Sequence, residues 1–200
     1  MTRHSTITPD AAADIISPET RALSIVQAAF AEDPPVRWLY PDDESYAVHF
    51  PAFAAALGAP AFSEGTLGLS QAAAALWIRP GSEPDEDALG ALIERSVPGH
   101  RQQDAFAVIE AMDAHHPSEP HWYLPIIGTL PEYQGQGFGA ALFAPVLEIC
   151  DRTCVLAYLE ATTERSRTLY ARLGFETTAI IRAADCPPLT AMVRTPRRRT

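Results

Sequence analysis

Lysine is absent from this 200-residue chain, and all 15 of its positively charged residues are arginines. The 25 acidic residues outnumber them, which gives a formal net charge of −10 at pH 7. A nucleic-acid partner is therefore not expected, because phosphate contacts need a basic face. The charge instead favours cationic small molecules, amines included. The basic run Arg197-Arg198-Arg199 is interpreted as a solvated tail.

Long apolar runs are also missing. No stretch approaches the roughly 20 apolar residues that a membrane-spanning helix needs, so no membrane partner is expected. Residues 1–5 lead into no apolar segment, so the sequence predicts no secretory signal. The chain has three cysteines, which cannot all pair, and a reduced cytoplasmic protein is the simplest interpretation.

Two of the cysteines, Cys150 and Cys154, lie close enough in sequence to suggest a metal site. No second pair of ligands follows them, however. We therefore interpret them as two small apolar residues beside a junction between a helix and a strand, and predict no metal.

The length allows one sizeable core and hardly two domains, so residues 1–200 are predicted to form a single domain. In the first 120 residues, serine and proline at 17–18 mark a helix start and Pro51 should bend a second helix. The predicted elements are a possible short strand at 5–8, a helix from 17 that stops before the prolines at 34–35, a loop at 33–43, a helix at 44–57, a hairpin of 65–70 with 72–78, a helix opened by the acidic turn at 82–87, and a helix at 102–114.

The last third of the chain predicts a strand, a glycine-rich stretch, a helix and a second strand, which together form a βαβ unit. The second strand is a continuous apolar run that ends at Glu160, as is typical of a strand paired in parallel and covered on both faces. The predicted elements are a strand at 122–130, the glycine-rich stretch at 131–139, a helix to about residue 150 that Pro145 should bend, a strand at 155–159, a short helix at 163–172, and a strand through 181.

The glycine-rich stretch carries Gly135, Gly137 and Gly139 at alternate positions. Such a loop at a helix start can aim several backbone N–H groups at a phosphate, helped by the helix dipole. No lysine or arginine lies within residues 131–140, so a phosphate there would be held mainly by backbone donors. The alternative is a tight strand–helix turn with no ligand.

The pattern Gly135-x-Gly137-x-x-Ala140 also satisfies the dinucleotide fingerprint, with Glu160 ending the next strand where a ribose-binding acid would lie. This alternative predicts a nicotinamide-dependent oxidoreductase. Four residues separate the strand end from Gly135, whereas the fingerprint opens directly off the strand, and no second mononucleotide half follows.

The stretch Gln134-x-x-Gly137-x-Gly139 resembles the acetyl-CoA pyrophosphate loop of the GNAT superfamily of N-acetyltransferases. A tyrosine ahead of Gly-Phe, in Leu169-Tyr170-x-x-x-Gly174-Phe175, resembles the superfamily's second hallmark. The resemblance is firm over residues 119–181. Within the superfamily, stretches at 28–31, 116–122 and 158–160 are similar to the puromycin N-acetyltransferases.

The resemblance implies an α/β (α+β) fold: a mixed, mostly antiparallel sheet with a splayed central pair of parallel strands, flanked by helices. It implies an enzyme, active as a monomer or homodimer, that moves an acetyl group from acetyl-CoA to a primary amine of a small, partly apolar molecule. A non-catalytic acyl-CoA-binding sensor is the alternative. The cofactor-binding residues that it implies are Ile127, Gly128, Thr129, Gln134, Gly135, Gln136, Gly137, Phe138, Gly139, Ala140 and Ser166.

Tyr170 matches the superfamily's general acid, which protonates the leaving sulfur. Glu160 is the best candidate for the base, directly or through water, although it could instead hold neighbouring backbone N–H groups. The histidines at 115, 116 and 121 are weaker candidates, because solvated loop histidines are common. The resemblance further implies that Trp38, Tyr40 and Trp122 wall the amine pocket, with core packing as the rival interpretation, favoured for Trp122.

Overall fold

A computed structural model describes residues 16–197 and shows a mixed sheet between two layers of helices. In that range the sheet has the strand order β1-β2-β3-β4-β6-β5, and β3 and β4 are its parallel pair. The strands are β1 (Leu67–Leu69), β2 (Ala73–Ile78), β3 (His121–Thr129), β4 (Leu156–Ala161), β5 (Glu176–Ile181) and β6 (Leu189–Arg194). The helices are α1 (Pro18–Ala29), α2 (Pro34–Leu39), α3 (Asp43–Leu57), α4 (Ala59–Ser63), α5 (Glu86–Ser96), α6 (Gly99–Asp113), α7 (Phe138–Ala141), α8 (Ala144–Thr153) and α9 (Glu164–Arg172).

Each face of the sheet supports its own part of the core. Successive side chains of β2 point to opposite faces of the sheet. Leu76 packs under α1, α3 and α5 on one face, and Trp77 packs under α8 on the other. All six residues of β2 are buried because helices cover both faces. The apolar composition of this strand therefore follows from its central position.

The parallel pair separates after three residues. β3 and β4 are in register at His121–Leu156, Trp122–Ala157 and Tyr123–Tyr158, and the pairing ends there although both strands continue. The predicted splayed parallel pair is confirmed. Pro125 lies in the stretch of β3 where its register with β2 shifts, which is where a residue without an N–H is tolerated. An edge strand would also have accommodated this proline, but β3 is an interior strand.

The segment at 33–43, predicted as a loop, contains the helix α2. Asp33 caps it by accepting a hydrogen bond from the Val36 N–H, and Pro34 and Pro35 occupy its first turn. The two prolines follow the preceding helix and also begin the next one. Proline is tolerated in the first turn of a helix because the N–H group that it lacks would have no partner within the helix there. Pro51 lies inside α3, which nevertheless runs unbroken.

The helix predicted from the glycine-rich stretch to residue 150 is two helices. α7 ends at Ala141, and α8 begins at Ala144 with Pro145 in its first turn, so the proline starts a helix where a bend was predicted. α8 ends at Thr153, and its C-cap residue Cys154 is exposed and has a left-handed backbone, whereas Cys150 lies on the buried face of the helix.

Three further differences concern boundaries and strand partners. The helix predicted at 102–114 begins three residues earlier, at Gly99, and neither α4 nor β6 was predicted. β6 pairs antiparallel with β4, so the apolar run of β4 has one parallel and one antiparallel neighbour.

The strand considered at 5–8 and most of the arginine tail lie outside the described residues. Within those residues, no helix combines the length and apolar character that crossing a membrane requires.

Candidate active site

The glycine loop follows β3 through a 3-10 turn at Pro131–Tyr133 and enters α7. Gly135 and Gly137 have φ angles of +78° and +89°, in the left-handed region where side chains are disfavoured. A Cβ atom built at either position would have no neighbouring heavy atom within 4 Å. The backbone at both glycines is therefore open for a ligand to approach.

Two other glycines near the loop allow close packing within the protein. A Cβ at Gly139 would lie 2.7 Å from Thr129 Oγ1, so glycine lets the start of α7 rest on the end of β3 without a shift of the Thr129 side chain. A Cβ at Gly128 would lie 2.7 Å from the Cβ of Ala29 in α1. The need for glycine at 128 thus comes from helix packing, and its predicted contact with the cofactor would use its backbone.

A cation that the sequence interpretation missed reaches this loop from α9. Arg165 donates a hydrogen bond of 2.5 Å to Gln134 Oε1, and Gln134 Nε2 donates to the Thr129 carbonyl at 3.3 Å. The loop contains no arginine of its own, but the fold brings one beside it from 31 positions along the chain. No local motif indicates this contact.

Three further predicted cofactor residues make contacts within the protein. Gln136 Nε2 donates to the Glu132 carbonyl, and the ring of Phe138 lies 5.7 Å from that of Tyr133, so both side chains shape the loop. Ser166 forms a capping box with Thr163: its hydroxyl accepts from the Thr163 N–H at 3.2 Å and donates to the Thr163 carbonyl at 2.8 Å. A cofactor contact by Ser166 would compete with this cap.

Tyr170 lies on the inner face of α9 and is 7% exposed. Its ring packs against Phe143 and Phe175, with centroids 5.6 and 6.2 Å away. Burial, and secondarily the negative charge of Asp33, raise the pKa of the Tyr170 phenol. The side chain therefore carries its proton at neutral pH, as a proton donor must.

Asp33 is the second functional candidate that the sequence interpretation missed. This carboxyl is 9% exposed and lines a cavity, and its Oδ2 atom accepts a 2.5 Å hydrogen bond from the Thr162 hydroxyl just after β4. Burial raises the pKa of Asp33, while its hydrogen bonds from Thr162 and the Val36 N–H oppose the rise. The capping pattern at 33–35 could have identified the residue, but only the fold shows that it faces the cavity.

The cavity encloses about 520 Å³ on the face of the sheet covered by α1, α3, α5 and α6. This volume suits a small organic ligand. The lining is mostly apolar, and among the described residues its carboxylates outnumber its one arginine, Arg79. Apolar lining residues include Phe30, Phe50, Phe53, Leu89, Ile93 and Met112, and the acidic ones are Asp33, Glu83, Glu86, Asp113 and Glu119.

Of the three aromatic residues predicted to wall the amine pocket, Trp38 lines the cavity. Its Nε1 donates to Asp185 at 2.6 Å, and the guanidinium of Arg101 lies 5.5 Å from its ring. Tyr40 is fully buried and bonded to Ser96, and Trp122 packs against Trp77 on the other face of the sheet. Neither lines the cavity, so packing accounts for both.

The side chain of Glu160 is 3% exposed, and its Oε1 atom lies 3.5 Å from Nε2 of His116. Burial, followed by the charge of Glu160, raises the pKa of the Tyr123 and Tyr158 phenols. His116, His121 and Tyr123 line the cavity. The predicted base therefore lies behind a wall of histidine and tyrosine.

The sheet, glycine loop and buried tyrosine agree with the comparison with known sequences, in which residues 74–175 match the model of the acetyltransferase (GNAT) family. This chain belongs to that family. An uncharacterized N-acetyltransferase of Schizosaccharomyces pombe is 32% identical to it over 78 residues, which are 38% of this chain and 32% of that protein. The chain thus spans about a third of the length of this curated relative.

Solved structures of acetyltransferases have similar folds. One described as histone acetyltransferase HPA2 and related acetyltransferase, from Corynebacterium glutamicum, has a TM-score of 0.59 and 26% identity, covering 91% of this chain and 93% of that chain. The Drosophila melanogaster polyamine N-acetyltransferase has a TM-score of 0.57 and 16% identity, covering 88% and 94%. The second likeness shows the fold alone.

Membership of the GNAT family removes the dinucleotide alternative. That fingerprint belongs to an open, mostly parallel sheet, whereas this chain has one parallel pair in the sheet described. Glu160, the acid that would have bound a ribose, is instead buried beside His116. The likeness to puromycin N-acetyltransferases within the family stays a prediction.

Proposed function

We propose that this protein transfers an acetyl group from acetyl-CoA to a primary amine of a small, partly apolar molecule. The observation that carries the proposal is the break in pairing between β3 and β4 after Tyr123 and Tyr158. Beyond this point the edge of β3 that faces β4 has no partner strand. The unpaired backbone groups lie between the glycine loop and the cavity. By the resemblance to the family, the pantetheine arm of acetyl-CoA would lie in this gap.

The residues around this gap fit acetyl-CoA. The open backbone at Gly135 and Gly137 can hold the pyrophosphate, with Arg165 as an added positive charge. The backbone of Ile127, Gly128 and Thr129 can lie along the arm, and one of its N–H groups can polarise the thioester oxygen. When bound, acetyl-CoA supplies an acyl carbon open to attack by an amine and a sulfur that can leave.

Tyr170 is the proton donor in this proposal. It is protonated at neutral pH and donates to the departing sulfur, then recovers a proton from the new amide nitrogen as that nitrogen loses its positive charge. Its packing against Phe143 and Phe175 fixes the ring. The net reaction converts an ammonium ion and a thioester into an amide, a thiol and one released proton.

The cavity supports an amine as the acceptor. Its carboxylates attract a cation, and its apolar lining suits an alkyl or aryl body. We propose that Asp33 binds the substrate ammonium, because it is the buried carboxylate of this cavity and its charge acts on Tyr170. The polyamine N-acetyltransferase from Drosophila melanogaster, which shares the fold, is named for substrates of this kind.

The experiment measures the release of free thiol from acetyl-CoA in the presence of a panel of alkylamines, arylalkylamines and polyamines. We expect release that depends on at least one amine, together with mass-spectrometric detection of the acetylated product. An acyl-CoA sensor would show acetyl-CoA binding in calorimetry and would release no thiol with any amine.

A single domain over residues 1–200, a cytoplasmic location and a monomeric or homodimeric state stay predictions.

A further inference from the structure

A chain of polar side chains lies beside the cavity, near the end of the sheet at which β3 and β4 pair. We name Glu160, His116 and His121 the imidazole chain. Glu160 Oε1 lies 3.5 Å from His116 Nε2, and His116 Nδ1 lies 3.2 Å from His121 Nε2. His121 Nδ1 lies 2.8 Å from the Glu119 carbonyl oxygen. The three side chains therefore connect a buried carboxylate with the exposed turn before β3.

The tautomers along this chain follow from its last contact. A carbonyl oxygen only accepts, so His121 Nδ1 carries a proton and, in the neutral ring, its Nε2 is an acceptor. His116 Nδ1 must then donate to that Nε2, which leaves Nε2 of a neutral His116 with a lone pair. Burial lowers the pKa of His121, although the hydrogen bond to the Glu119 carbonyl opposes the shift, and a lowered pKa favours the neutral ring.

The lone pair of His116 Nε2 faces an oxygen that lacks a proton as well. Glu160 Oε1 and the Tyr158 hydroxyl are both buried and, among the described residues, have no partner at full hydrogen-bond geometry. Hydrogen bonding to the Glu160 carboxylate nevertheless contributes to the raised pKa of the Tyr123 and Tyr158 phenols. A proton on His116 Nε2 would give the Glu160 carboxylate a further donor.

The surroundings of the pair are aromatic and acidic. The groups that face it are the phenols of Tyr123 and Tyr158, whose ring centroids lie 4.5 and 4.4 Å from that of His116, and the ring of His121. The carboxylates of Asp113 and Glu119 line the same cavity. No arginine contacts the pair in the part of the chain that the structure describes.

We propose that His116, positioned by Glu160, accepts the proton that the substrate ammonium must lose before it attacks the thioester. This inference rests on the proposed function. The side chain of His116 is 23% exposed and lines the cavity, so a water molecule from the cavity can carry the proton to its Nε2 atom and later return it to solvent. Glu160, at 3% exposed, acts through His116 as a positioning residue.

The first test compares pH–rate profiles of wild type, His116→Gln, Glu160→Gln and the control His115→Gln. His115 is the exposed neighbour of His116, and it does not line the cavity. We expect His116→Gln to lower kcat/KM by about 10²-fold, the low end for a lost general base, because water can partly replace it. The control should keep wild-type kcat/KM.

Glu160→Gln provides the readout that a purely structural role would not change. Without the Glu160 carboxylate, the protonated form of His116 loses a nearby negative charge that stabilises it. The midpoint of the acid limb of the kcat/KM profile should therefore move to lower pH. Acetyl-CoA affinity, measured by calorimetry, should stay the same in both variants. Wild-type profiles in both variants would overturn the proposal, as would a drop in rate with no change in the midpoint of the acid limb.

The second test needs no substrate and no activity. Long-range 1H–15N NMR of the histidine rings in the free enzyme should show neutral His116 and neutral His121 as Nδ1–H tautomers, assigned with the Gln variants. The His116 titration should shift in Glu160→Gln. An Nε2–H tautomer at His116 would overturn the pairing even in an active enzyme. If no amine releases thiol from acetyl-CoA, the proposed function fails, and the NMR result still decides whether the pair binds a proton.

Discussion

The Asp33 carboxylate accepts a hydrogen bond from the Thr162 hydroxyl, which joins the start of α2 to the end of β4 across 129 positions of the chain. This bond places a buried acid beside the gap that β4 leaves, within electrostatic reach of Tyr170. The substrate amine and the leaving sulfur would meet at this point.

Asp33→Asn should weaken amine binding. Asparagine still caps α2 but has no charge to hold an ammonium ion, so we expect the KM for the amine to rise by about 10-fold or more, as for a lost hydrogen bond to a charged group. Acetyl-CoA affinity should not change. Asp42→Asn, at the equivalent cap of α3, is the matched control. Equal steady-state kinetics in the two variants would remove Asp33 from the acceptor site.

The same substitution should alter the pH dependence of stability. Because burial raises the folded pKa of Asp33 above the ordinary value of 3.8, its contribution to stability is complete below 3.8 and is lost as the pH rises through the folded value. An asparagine side chain does not titrate, so the Asp33→Asn variant should gain free energy of unfolding relative to wild type between about pH 4 and neutrality. Urea denaturation across that range measures the difference, and a constant difference would contradict the raised pKa.

Gly137→Val should abolish acetyl-CoA binding while the protein remains folded. Valine at φ +89° is strained by about 1–2 kcal/mol, and its side chain would cover the backbone that the pyrophosphate needs. Gly65→Val carries the same kind of strain at φ +68° in open space, away from the loop. Calorimetry should show lost binding in the first variant only. Unchanged affinity in a folded Gly137→Val would mean that the site is misplaced.

Arg165→Gln should weaken acetyl-CoA binding by about 10-fold, as expected when a charge-assisted contact to phosphate is lost. The effect should shrink at high salt, because Arg165 is at the surface. Arg172→Gln removes an exposed arginine from the far end of the same helix and serves as control. If the affinity ratio between wild type and Arg165→Gln were 1 at low salt, Arg165 would serve only to hold Gln134.

The sequence predicted the features whose signal is local. The glycine loop and the βαβ unit around it follow from alternate glycines and a continuous apolar run. The splayed pair was expected only from the resemblance to the GNAT superfamily, because Pro125 is equally compatible with an edge strand. Asp33 and Arg165 escaped prediction because their roles depend on partners 129 and 31 positions away. β6 escaped because its strand character comes from lying between β4 and β5.

The same limit applies to the aromatic residues and to Glu160. Tyr40 and Trp122 have the composition of a pocket wall, but their side chains point into packed cores, which a pattern of residue types does not reveal. Glu160 was predicted at a strand end with an open role. Only the three-dimensional contact with His116 shows which side chain stands between it and the cavity.

The central claim is that the buried phenol of Tyr170 protonates the leaving sulfur, and the single-turnover rate of Tyr170→Phe tests it most directly. Phenylalanine keeps the packing against Phe143 and Phe175 and deletes the proton donor. On an amine that wild type acetylates, we predict a rate about 10²-fold lower with acetyl-CoA affinity intact, while Tyr46→Phe, which removes another buried phenol, keeps the wild-type rate. A folded Tyr170→Phe with the wild-type single-turnover rate would contradict the account.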